Sequence, residues 1–95
     1  MSPRRLARMT LDAEAWYLAE IAYIAERNPA AAKKISAMIR AARRTLADYP
    51  NIGPPGHMPG TRRAVVGPYV LTIRIRAGTP EIIAIRHGRQ AKERE

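Results

Sequence analysis

Cysteine is missing from the 95 residues. That excludes a disulfide framework and any thiolate metal site. Two histidines, His57 and His87, are too few to make a metal set with nearby carboxylates, so no metal or other cofactor is expected. No apolar run approaches the roughly 20 residues that cross a bilayer. Residues 1–10 begin basic but lack an apolar h-region, so they do not read as a secretory signal, and a cytoplasmic, membrane-free protein is the simplest expectation. Repeats and low-complexity tracts are absent, which leaves one small domain over residues 1–95.

Acidic residues are also scarce. Lys and Arg total 17 against 8 Asp and Glu, a net charge of +9. Four of the acids (Asp12, Glu14, Glu20 and Glu26) fall in the N-terminal third, and between residues 30 and 92 only Asp48 and Glu81 interrupt a basic stretch. Such a field favours a polyanion or an acidic protein surface. Arginine supplies most of it, and its planar fork suits bidentate contact with carboxylate or phosphate.

Residues 4–9 have the character of a short first strand. Thr10 is a natural N-cap for a helix from Leu11 to Arg27, with Asp12 and Glu14 where the helix dipole favours negative charge. Tyr17, Ile21 and Ile24 recur at helical spacing as a core stripe, and Trp16 and Tyr23 form an aromatic edge beside it. Asn28-Pro29 ends that helix and starts a second, reaching about Asp48, with Ala31, Ile35, Met38, Ile39, Ala42 and Leu46 on its buried face. So short a link predicts an antiparallel helical hairpin. Lys33, Arg40 and Arg44 line another, solvated face. The segment PNIGPPGHMPG (50–60) is too rich in Pro and Gly for helix or strand, and His57 within it reads as a loop residue.

Beyond the connector the period changes to two. Residues 62–66, 69–76 and 81–87 read as three strands joined at Gly67-Pro68 and Ala77–Pro80. Pairing outward from these turns sets Arg76 against Glu81 and Ile75 against Ile82. One face is then Ala64, Val66, Tyr69, Leu71, Ile73, Ile75, Ile82 and Ala84, which meets the helices; Arg62 also points there. The other carries Arg63, Val65, Val70, Thr72, Arg74, Ile83, Ile85 and His87. Unless the tail after Gly88 folds back, no second helical layer remains to cover it, so it is the expected partner surface. The fold class is α+β, a helical hairpin on one face of a small, mostly antiparallel sheet.

In this order, AEAWYLAEIAYIAERNPAAAKKI (13–35), LADYPNIGPPGHMPGTRRAVVGPYVLTIRIR (46–76) and EIIAIRHGRQ (81–90) resemble the RelE/ParE toxins of bacterial type II toxin–antitoxin systems. The resemblance spans nearly the whole chain. It implies growth inhibition, plasmid stabilisation in some systems, and a cognate antitoxin that folds on the toxin to form a hetero-oligomer. It also implies one of two targets. The RelE-like branch cuts mRNA on the ribosome without a metal and needs an acid, a base and phosphate-clamping cations. The ParE-like branch is not known as a nuclease and poisons DNA gyrase by binding it, so the resemblance leans away from an enzyme. The nuclease branch's basic cluster falls at about Arg63, Val65 and Val70, and only Arg63 is basic. That substitution pattern favours the ParE-like branch. If the chain is a ribonuclease, Arg63, Arg74 and His87 are its catalytic candidates, although Arg74 and His87 lie roughly 13 Å apart along the strands.

Trp16 and Tyr23 are candidates to receive the antitoxin, or else form a satellite core under the connector. His87 and Arg89 either contact a target or simply close the last strand. Direct nucleic-acid binding as the primary function would require steep salt dependence, and no recognition-helix motif supports it.

Overall fold

The computed structural model describes residues 6–88. Six elements follow in chain order: β1 (Arg8–Met9), α1 (Leu11–Arg27), α2 (Pro29–Asp48), β2 (Thr61–Val66), β3 (Tyr69–Arg76) and β4 (Thr79–His87). The strands form one mixed sheet in the order β1-β4-β3-β2, with β1 parallel to β4 and the other pairs antiparallel. No described helix is long and apolar enough to cross a membrane.

Local chemistry sets the helix boundaries. The Thr10 hydroxyl accepts a hydrogen bond from the Ala13 amide, satisfying one of the first-turn donors that a helix leaves unpaired. Asn28 serves both helices. Its amide donates to the Ile24 carbonyl to close α1, and its side-chain oxygen accepts from the Ala31 amide to open α2. The hairpin packs on the sheet through Ile39 and Leu46, which meet Leu71, Ile73, Ile82 and Ile85 in the fully buried core. Trp16, Tyr17, Ile35 and Ala42 pack around its rim.

The first strand is shorter than residues 4–9. Ala7 gives its amide to the Arg43 carbonyl, and the Arg43 Nε–H donates back to the Ala7 carbonyl. That double link to α2 uses Ala7's backbone away from the sheet, so pairing starts at Arg8; residues 4 and 5 lie outside the described residues.

The connector runs along β2, one of the sheet's two edge strands. The Arg63 amide donates to the Pro54 carbonyl, the Gly56 amide to the Thr61 carbonyl, and Pro55 bridges Arg62. Covering the first half of β2 in this way removes an edge that would otherwise invite strand pairing.

The sheet register differs from simple alternation at two places. Ala77 and Gly78 both have positive φ, 52° and 77°, and form a two-residue turn, so Arg76 opposes Thr79, not Glu81. Ile75 opposes Pro80 and Arg74 opposes Glu81. Then β4 bulges, with Ile73 opposite Ile82 but Thr72 opposite Ala84, so Ile83 is the extra residue. One inserted residue exchanges the two faces for the rest of the strand. Ile85 and His87 therefore turn toward the helices, opposite Leu71 and Tyr69, while Ala84 and Arg86 turn away.

A candidate partner-binding face

The side of the sheet away from the hairpin has three rows, each running across β2, β3 and β4. They are Thr61–Arg74–Glu81, Arg63–Thr72–Ala84 and Val65–Val70–Arg86. Neither helix packs here, since the hairpin covers the face of Tyr69, Leu71 and Ile73. Val65 is 73% exposed, whereas Val70, Thr72, Arg63 and Arg86 are half-buried. Arg63, Arg74 and Arg86 lie on these rows with one acid, Glu81, and Arg76, opposite Thr79, extends the same side beyond them. Arg74 meets that acid, with its guanidinium 3.4 Å from the Glu81 carboxylate, which replaces the expected Arg76–Glu81 pair. Its Nε is buried with no hydrogen-bond partner among the described residues. From strand spacing and rise, the Arg63 and Arg74 backbones are roughly 8 Å apart, and those of Arg63 and Arg86 roughly 12 Å.

His87 belongs to a different site. Its Nε2 lies 3.0 Å from the Glu20 carboxylate of α1, and the same oxygen accepts a 2.7 Å hydrogen bond from the Tyr69 hydroxyl. Trp16 meets both rings edge-on, at 6.0 Å from Tyr69 and 5.6 Å from His87, within the favourable range for T-shaped pairs. Burial, then the bond to Glu20, push the Tyr69 hydroxyl well above its ordinary pKa, so it stays a donor. The two sites touch at the end of the sheet. There an open depression of about 600 Å³ is lined by Val65, Val70, Pro68 and His87 among others.

Arg63, Arg74, Val65, Val70 and Thr72 are thus gathered on one face. Ile85 is core, 1% exposed, and His87 is on the helix side. The bulge is responsible for both displacements, and it brings in Arg86, which plain alternation from Ile82 and Ala84 would put on the helix side. Ile83 sits at the bulge itself. Trp16 is part of the core rim. Tyr23 is 57% exposed, with the Arg27 guanidinium 3.6 Å above its ring. Arg89 lies outside the described residues. The three ribonuclease candidates do not converge. Arg63 and Arg74 occupy one face and His87 the other, and Glu81, the one carboxylate beside the arginines, is paired with Arg74. Among the described residues, no group of three or more metal-ligating side chains occurs.

The profile described as "ParE toxin of type II toxin-antitoxin system, parDE" matches residues 7–92. The chain belongs to the ParE toxin family. It is similar to "Putative toxin Y4kP" of Sinorhizobium fredii, with 38% identity over 71 residues, 73% of each chain. The fold is that of a chain in the "Chromosomal ParDE TA system from P. aeruginosa". That match has a TM-score of 0.73 at 21% identity and covers 90% of this chain and 98% of the other. As a ParE toxin, the chain is the toxin half of a toxin–antitoxin pair.

Proposed function

We propose that this ParE toxin inhibits growth by binding DNA gyrase, and that its antitoxin neutralises it by occupying the face built from Arg63, Val65, Val70, Thr72, Arg74 and Arg86. The observation behind this reading is the composition of that face. It alternates arginines with exposed valine and carries no proton-transfer group free of a partner cation, which suits recognition better than turnover. An acidic, amphipathic antitoxin segment supplies what the face lacks: carboxylates for the arginines and apolar side chains for Val65 and Val70. A segment that is disordered alone and folds here would bury this surface at an entropic cost offset by those contacts.

The test of the target is a supercoiling assay with purified gyrase. Inhibition that is reversed by stoichiometric antitoxin supports the reading, and full gyrase activity at saturating toxin removes it. One observation keeps a ribosome-dependent endoribonuclease in view: the bulge adds Arg86 to the face that already holds Arg63 and Arg74. That alternative requires codon-positioned cuts in translated mRNA that Arg63→Ala abolishes.

A further inference from the structure

The outward side of α1 is unlike the rest of the molecule. Between Glu14 and Glu26 every exposed residue on it is uncharged: Ala15, Leu18, Ala19, Ala22, Tyr23 and Ala25. Leu11, one turn earlier, is 86% exposed, and Leu18 is 55% exposed. In a chain that is 26% charged, three solvent-facing helical turns without a charge need a reason. Leu11, Ala15, Leu18, Ala22 and Ala25 are spaced four, three, four and three apart, the repeat that keeps an apolar seam in line between two packed helices. Alanines at three of the five positions permit a second helix to approach at the close end of the usual 8–10 Å separation.

We propose that this seam pairs with the same seam of a second copy of the chain, the two α1 helices running antiparallel about a two-fold axis at Leu18. Charge decides the occupant. The exposed charges on α1 are Asp12, Glu14, Glu26 and Arg27, so the helix is acidic in an otherwise basic protein. An acidic antitoxin segment is repelled here and drawn to the arginine face of the sheet. An antiparallel copy instead sets Arg27 of one chain beside Asp12 and Glu14 of the other, and it opposes the two helix dipoles favourably. Leu18 then meets Leu18 of the second copy, while Leu11 fits over its Ala22 and Ala25. The seam is about 21 Å long, too small for the roughly 800 Å² per partner of a standard interface. Association is therefore reversible and concentration-dependent. It also leaves both arginine faces free, so it does not rest on the target assigned above.

Sedimentation velocity of the full chain, from low to high micromolar, is the experiment. The native sequence shifts from monomer to dimer across that range, and Leu18→Glu stays monomeric with an unchanged circular dichroism spectrum. Should that variant misfold, Ala22→Glu, also exposed, replaces it. Because the chain has no cysteine, orientation can be read by oxidation. Leu18→Cys, on the axis, cross-links to itself, and Leu11→Cys does not. A native chain that is monomeric throughout overturns the proposal, as does a dimer that survives Leu18→Glu. Equal cross-linking by both cysteine variants overturns the antiparallel arrangement. If the native chain is monomeric and Leu18→Glu weakens antitoxin binding, the seam belongs to the antitoxin and the proposal fails.

Discussion

The Glu20 carboxylate stands 3.0 Å from the His87 imidazole and holds the Tyr69 hydroxyl through the same oxygen. One acid on α1 therefore fixes the last residue of β4 and the first of β3. This places His87 as a structural partner of the hairpin, on the side opposite the arginines.

The cluster has a pH signature. Because the folded protein raises the Tyr69 pKa, the unfolded chain loses that proton first as pH climbs past about 10. The unfolded state then binds fewer protons, so the contribution of Tyr69 is intact below that pH and declines above it, by at most about 1.4 kcal/mol per pH unit. Urea titrations across the alkaline range should show a shallower decline in Tyr69→Phe than in the native chain. At neutral pH, Glu20→Ala should cost about 1–3 kcal/mol, by leaving the Tyr69 hydroxyl without its acceptor.

The turn at Ala77-Gly78 carries an avoidable strain. A type I′ turn takes positive φ at both central residues, which asparagine and glycine adopt more readily than alanine. Ala77→Asn should raise stability by about 0.5–1 kcal/mol, seen as a higher melting temperature with unchanged partner binding.

The bulge is tested by comparing two apolar residues that plain alternation assigns to the same face. Ile85→Ala removes a core side chain and should cost about 2–5 kcal/mol. Val65→Ala, at an exposed position, should change stability by no more than about 0.5 kcal/mol. Equal, small effects in chemical denaturation would mean that β4 runs without its extra residue.

Much of the fold was legible because the relevant signals are local. Thr10 before an acidic first turn and Asn28-Pro29 between two apolar stripes each mark a helix end by their own hydrogen-bonding chemistry. The meander was legible at Gly67-Pro68, where the pairing of Val66 with Tyr69 follows from the turn. It failed at Ala77–Pro80, because Ala-Gly is a weaker two-residue turn signal than Asn-Gly, and Thr79-Pro80 looks like more loop. From Ile82 the run Ile-Ile-Ala-Ile has no polar alternation, so nothing in it reports which residue is extra. Arg86 and His87 exchanged faces for that reason. The partnership of Glu20 with Tyr69 and His87 was hidden too, since it depends on how the hairpin lies on the sheet. The path of the connector along β2 was equally hidden, as proline and glycine report irregular backbone but not where it lies.

The most direct measurement is the affinity of the cognate antitoxin for two variants with the same change in net charge. Arg86→Glu alters the sheet face, and Arg40→Glu alters an exposed position on α2. Titration calorimetry at fixed salt should show Arg86→Glu weakening the complex by roughly tenfold or more, and Arg40→Glu changing it little. Equal losses in the two variants would reduce the effect to overall charge, and an unchanged affinity for Arg86→Glu would contradict the assignment of this face to the antitoxin.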